Sequence, residues 1–290
     1  MRSSLNTSMI GIEAPLLKQI EMARAHGFQA VDLPVTADFD PIVVRESLSR
    51  TGLVPGCARS LLPGRTAEPD AVWEAALQAL PGKLDQATAA GFSRTTIVML
   101  PFHDQWPFDA CFDLHVRRLR DLAPHLESRG FRLGIEYVSP ITRRAGCRHE
   151  FLHDLAGLMT LLGAVSSPAI GLLMDCFHWH CARECPGDIE ALDAKSVVAV
   201  HINDTVAGRG IDEQVAMERE LPLATGGIDL GGFLGALRRI GYDGPVTAEP
   251  MNPALNALPD AVKLEAVGRS VRAALDQAPP VATRPRSAPR

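Results

Sequence analysis

Apolar positions along the chain alternate between two spacings. Short apolar or β-branched runs are followed by longer stretches in which apolar residues recur every three or four positions, the signatures of buried strands and amphipathic helices. A first strand is expected at 5–8, then a helix on Leu16, Ile20, Ala23 and Gly27. Residues 30–34 read as the second strand and 41–50 as its helix, with Pro41 at the start and Gly52 just past the end. A third strand at 53–59 is weakened by Pro55 and Gly56. The helical pattern over 70–90 carries Pro81-Gly82, where an interruption is expected. A β-branched run at 95–100 is the fourth strand, and Phe112, Val116, Leu119, Leu122 and Leu126 then mark one helix face, closed by Gly130.

The second half repeats the alternation with a difference: each apolar run ends in a polar residue. Leu133-Gly134-Ile135-Glu136, Gly171-Leu172-Leu173-Met174-Asp175, Val197-Val198-Ala199-Val200-His201 and Pro245-Val246-Thr247-Ala248-Glu249 read as strands five to eight. Helices are expected at 150–162, near 189–193, on Phe233, Leu237 and Ile240, and on Leu264, Val267, Val271 and Leu275. The longest irregular segment, 203–227, is of a length that compact domains reserve for functional loops. Eight strands alternating with helices demand a parallel sheet, and over about 270 residues they point to a single (β/α)8 TIM barrel, residues 1–277. An open doubly wound sheet is the alternative, but no GxGxxG follows the first strand. Residues 278–290, rich in Pro and Arg with almost nothing to bury, are expected to be a disordered tail.

Composition adds exclusions. With 46% hydrophobic and 22% charged residues among 290, the chain has the make-up of a globular domain with a large core. A net charge of -5 argues against nucleic acid as a partner. No apolar run reaches the roughly 20 residues of a membrane helix, and the N-terminus lacks a basic-then-apolar segment, so no membrane partner and a cytoplasmic location are expected. The six cysteines form no CxxC pair, which suits reduced thiols. A homo-oligomer is compatible with all of this.

In a barrel the C-terminal strand ends converge on one mouth. Glu136, Asp175, His201 and Glu249 would therefore meet there, from four adjacent strands. Three carboxylates that close raise one another's pKa unless a cation neutralises them. One divalent metal ion is the expected cofactor; oxygen-rich ligation with one imidazole suits Mn²⁺ first, then Mg²⁺ or Co²⁺, with Zn²⁺ also possible in principle. Any one of the four taken alone is explained as well by a helix cap or an arginine partner. His103 and Trp106, after the fourth strand, are candidates for the pocket wall, and Arg209 and Arg219 for forked donors to a substrate oxyanion. Solvated arginine explains either of the last two alone. Gly226-Gly227 offers a phosphate-binding helix entry or a plain one. His178, His180, Cys181 and Cys185 match no zinc spacing.

Gly134-Ile135-Glu136, Met174-Asp175-Cys176-Phe177-His178-Trp179, His201-Ile202-Asn203-Asp204 and Gly241 through Pro250 together resemble the sugar phosphate isomerase/epimerase family, with its xylose-isomerase-like barrel. The resemblance implies that Glu136, Asp175, His201 and Glu249 bind the metal, that Glu136 and Glu249 also move protons, and that His178 binds substrate. It implies a small sugar-like substrate and an isomerase or epimerase of carbohydrate metabolism acting next to a carbonyl through an enediolate. A dehydratase of an inosose or dehydroshikimate-like substrate is the alternative, and a non-catalytic barrel subunit a third. Many members carry Arg-x-Leu-Pro-Gly-Glu-Gly before the seventh helix; here Arg219-Glu220-Leu221-Pro222-Leu223-Ala224-Thr225-Gly226-Gly227 lacks that Glu, which implies a different substrate.

Overall fold

The computed structural model describes residues 1–277. Eight parallel strands form a nearly closed barrel: β1 (Arg2–Leu5), β2 (Ala30–Pro34), β3 (Val54–Arg59), β4 (Arg94–Met99), β5 (Arg132–Tyr137), β6 (Ile170–Asp175), β7 (Val197–Ile202) and β8 (Pro245–Ala248). Their order around the sheet is β3-β2-β1-β8-β7-β6-β5-β4. The seam between β3 and β4 has no ladder. The chain just after β3 closes it instead: the Thr66 N–H donates to the Val98 carbonyl (3.0 Å) and the Val98 N–H to the Gly64 carbonyl (3.4 Å).

The single barrel read from the alternation is therefore the fold. β6 and β7 are buried at every position, as continuous apolar runs covered on both faces must be. The outer helices present one apolar stripe each to the strands; in Phe108–Glu127 it is Leu119, Leu122 and Leu126, as the spacing predicts. Pro41–Thr51 starts where Asp40 accepts the Ile42 and Val43 N–H groups and stops at Gly52, whose φ of 71° a residue with a Cβ adopts only under strain.

Four local expectations are corrected. The first strand is Arg2–Leu5 rather than 5–8, because Ser3 and Ser4 are strand residues with buried side chains, and Thr7–Ile10 is a 3₁₀ turn. The helix over Asp70–Ala89 runs unbroken through Pro81; Trp73, Leu80, Leu84 and Ala87 bury one continuous stripe, which outweighs the lost backbone bond. The helix expected at 150–162 is Leu155–Val165, started by Asp154, whose side chain accepts the Gly157 N–H. The one expected near 189–193 is Pro186–Glu190, preceded by Cys176–Cys181 directly after β6. The expected tail, 278–290, lies outside the described residues.

Candidate metal centre

Each of the four polar strand ends arrives at the mouth by strand geometry. Glu136 is the penultimate residue of β5, Asp175 the last of β6, His201 the penultimate of β7, and Glu249 follows β8 directly. Asp175 is the ladder partner of His201, and the Glu249 N–H donates to the Ile202 carbonyl at 3.0 Å, so adjacent strands hold the three level. All four residues are buried, and one ligand atom from each lies within 4.8 Å of the others. His201 Nδ1 is 3.1 Å from Glu249 Oε2 and 3.9 Å from Glu136 Oε1.

Arg219 belongs to the same cluster. Solvated arginine, the plain alternative to a forked donor, does not hold, because its side chain is 4% exposed. Nη1 donates to Asp175 Oδ2 and Glu249 Oε2, each at 2.8 Å, Nε donates to the Ala216 carbonyl at 2.7 Å, and Cζ lies 4.9 Å from the Phe177 ring centroid. Nη2 faces His178 Nε2 at 3.1 Å, while the Ser139 N–H faces His178 Nδ1 at 3.3 Å. A neutral imidazole accepts at only one nitrogen, so one of these two donors is left without an acceptor on His178.

The cluster pushes its members apart. Burial, then the charges of Glu249 and Asp175, raise the Glu136 carboxyl well above the carboxylate range. Burial also works to raise Glu249, but Arg219 and His201 outweigh it and hold that carboxyl low. Burial pulls His201 down, and Glu249 as charge and acceptor carries it up to about 9. Burial, with Arg219 beside it, pulls His178 down to about 3, which keeps that ring neutral.

The donor set fits a divalent ion. Glu136 Oε1 is buried and has no hydrogen-bond partner, although it faces both histidines at 3.9 Å. A buried carboxylate oxygen without a partner is costly, and a cation among three carboxylates and an imidazole removes that cost. Among the described residues these four are the group of His, Cys, Asp and Glu spaced to hold an ion; His178, His180, Cys181 and Cys185 form no such group.

His103 and Trp106 are not brought to this cluster. They stack on each other at 5.2 Å between centroids and line a cavity of about 660 Å³ with Arg65, Phe102 and Arg143, to which none of the four contributes. Arg209 pairs with Glu218 instead. The Gly226-Gly227 turn is not an open anion site: Asp204 accepts the N–H groups of Thr205, Thr225, Gly226, Gly227 and Ile228 at 2.8–3.1 Å. Asp229 caps the following helix, Leu230–Ile240. Sequence reasoning missed Asp204 and also Asn203, whose side-chain amide donates to both oxygens of Asp175 at 3.2 and 3.3 Å. Both stand in the stretch His201-Ile202-Asn203-Asp204, where a polar run after an apolar strand was the available signal.

The family profile described as xylose isomerase-like TIM barrel matches residues 20–268. A solved xylose isomerase domain protein from Alicyclobacillus acidocaldarius superposes with a TM-score of 0.83 and 28% identity, over 96% of this chain and 99% of that one. An inosose isomerase of Halalkalibacterium halodurans is 33% identical over 96 residues, which are 32% of this chain and 32% of that protein. A 3-dehydroshikimate dehydratase of Pseudomonas putida is 28% identical over 147 residues, 50% of this chain and 22% of that protein. The matched stretch thus spans about a third or less of each of these two curated relatives.

Proposed function

The chain belongs to the xylose isomerase-like TIM barrel family, and on that premise we propose that it is a divalent-metal-dependent isomerase or epimerase of a sugar, cyclitol or related hydroxy-ketone. The observation that carries the reading is the buried quartet of Glu136, Asp175, His201 and Glu249, with Glu136 Oε1 left without a partner. These four would hold the ion, manganese being the metal we favour. Bound there, it supplies a Lewis acid that polarises a carbonyl and neutralises charge developing on its oxygen. Glu136 and Glu249 are the proton carriers. They come from β5 and β8, with β6 and β7 between them, so a substrate lying over the cluster meets one carboxyl on each side. One takes the proton next to the carbonyl and the other delivers it: to the opposite face of the same carbon for epimerisation, to the neighbouring carbon for isomerisation. His178 stays neutral and accepts at one nitrogen only, so the Ser139 N–H and Arg219 Nη2 cannot both bond to it, which leaves a donor for a substrate hydroxyl.

A dehydratase is the second reading, favoured by the match to 3-dehydroshikimate dehydratase. It begins with the same proton abstraction and then expels a hydroxyl with help from a general acid. Metal analysis followed by NMR in D₂O with ketoses, inososes and dehydroshikimate separates the possibilities. One ion per chain and deuterium at the carbon next to the carbonyl, lost on chelation, is the expected result. Loss of water from the labelled compound makes it the dehydratase. Full activity in a chelated sample removes the metal reading altogether.

A further inference from the structure

His103 and Trp106 line the cavity of about 660 Å³ described above. Val98 of β4 is the ladder partner of Glu136, and Leu100, two residues nearer the mouth, lines the cavity. A strand spacing of about 4.8 Å and a rise of about 3.3 Å per residue put the Leu100 and Glu136 backbones roughly 8 Å apart. The cavity therefore begins one strand from the quartet and runs over the β3/β4 seam. Its volume of about 660 Å³ is more than one six-membered polyol ring fills; pockets of roughly 300–1,000 Å³ bury most of a drug-sized ligand.

Its wall has the chemistry of a sugar site. Trp106 is half-buried and lines the cavity, whereas Trp73 and Trp179 are each 4% exposed, so of the three tryptophans Trp106 is the one partly open to solvent. His103 Nδ1 accepts the N–H groups of Gln105 (3.1 Å) and Trp106 (3.0 Å). Its proton therefore sits on Nε2, which has no hydrogen-bond partner among the described residues. Arg65 and Arg143 line the cavity, and neither has a carboxylate partner among the described residues; Arg143 lies 5.2 Å from the Phe102 ring centroid. Arg118, by contrast, is committed to the wall itself, bonded to Asp70 (2.6 Å) and the Thr66 carbonyl (2.8 Å). Glu68 and Asp104 add acceptors. An aromatic face ringed by free donors and acceptors suits the C–H face and hydroxyls of a pyranose.

We propose that this cavity is a second-ring subsite, so that the substrate is a keto sugar or cyclitol carrying a further sugar-like ring, which lies against Trp106 between Arg65 and Arg143. The inference deepens the proposed function and rests on it for the position of the first ring.

The test uses the full chain loaded with Mn²⁺ and three ketoses: fructose, the disaccharide maltulose, and fructose 6-phosphate. Calorimetry measures affinity and tryptophan emission reports on Trp106. Maltulose is expected to bind about tenfold or more tighter than fructose, a difference of about 1.4 kcal/mol, and to change the emission. In Trp106→Ala and, separately, Arg143→Gln, the ratio of the two affinities should fall toward one, with Mn²⁺ stoichiometry serving as the check that each variant is folded. Equal binding of maltulose and fructose by the wild type overturns the subsite, as does an advantage that goes to fructose 6-phosphate instead, which would make the cavity an anion site. A sample that takes up no Mn²⁺ yet still changes its emission with maltulose breaks the metal reading and keeps the subsite.

Discussion

Two of the buried polar clusters in the barrel differ in how completely they are satisfied. In the first-strand half, Asp32 on β2 is 1% exposed, and its carboxylate accepts from Ser4 Oγ on β1 (2.7 Å), the Cys57 N–H on β3 (2.8 Å) and Thr247 Oγ1 on β8 (3.1 Å). Both oxygens are used, four strands are tied together, and a Cβ at Gly56 would collide with the network. In the other half the quartet crowds three carboxylates together and leaves Glu136 Oε1 with no partner. Buried polar groups are normally paired, so a complete network reads as architecture and an incomplete one as a place where something binds. The two clusters share β8, through Thr247 and, just past its end, Glu249, which makes the contrast open to experiment.

The largest effect is expected from the incomplete cluster. Glu136→Gln and Glu249→Gln each keep size and one oxygen ligand but remove basicity, so turnover should fall by about 10² or more if these groups move protons. Metal content should fall less, since three ligands remain. The ratio of lost turnover to lost metal is the informative quantity. Variants that lose activity only in proportion to metal make both glutamates ligands and nothing more.

An intermediate effect is expected from the complete cluster, and it should be of a different kind. Asp32→Ala leaves two hydroxyls and one N–H without their acceptor in the interior. At about 1–3 kcal/mol for an unsatisfied group, partly recovered as the hydroxyls turn to new partners, the loss is about 2–4 kcal/mol. For a chain of this size that is a melting temperature lower by roughly 3–7 °C. Mn²⁺ stoichiometry should not change. A variant that keeps its melting temperature but loses the ion would make Asp32 part of the centre and dissolve the contrast.

The same contrast explains what could be read from the chain beforehand. The quartet was legible because each member ends an apolar run, and a strand buried on both faces writes itself as such a run. Strand β1 was misplaced for the opposite reason: Ser3 and Ser4 are polar residues inside a buried strand, and their partners, Asp32 among them, come from distant sequence. Arg219 could not be placed because its segment has no periodicity. Its position follows from the Asp204–Glu220 backbone pair and from an N–H bond to the Met251 carbonyl, contacts that exist only once the barrel closes. Asp204 was hidden likewise, since the turn whose five N–H groups it gathers includes residues more than twenty positions away.

The smallest effect sits between the two clusters in character. Glu184 accepts from the Tyr137 hydroxyl (2.6 Å) and the Leu155 N–H (2.7 Å), so both oxygens have partners, yet burial outweighs them and pushes its carboxyl up to about 7. An ordinary carboxyl in the unfolded chain titrates near 4.3. Between those values the folded state holds a proton that the unfolded state has released, so stability is fully present below about pH 4 and declines as pH rises through about 7. Glu184→Gln keeps the acceptor for one donor and removes the charge, so the variant should lose this decline. Its melting temperature relative to wild type should rise between pH 5 and pH 8 by a few degrees. Tyr137 is the neighbour of Glu136 in sequence, so the change also asks whether a satisfied contact one residue away matters to the centre. With Mn²⁺ affinity measured at the same two pH values, an unchanged affinity assigns Glu184 to the architecture. A variant whose stability tracks wild type across that range would mean that Glu184 titrates as an exposed carboxyl does, and that burial is not what governs it.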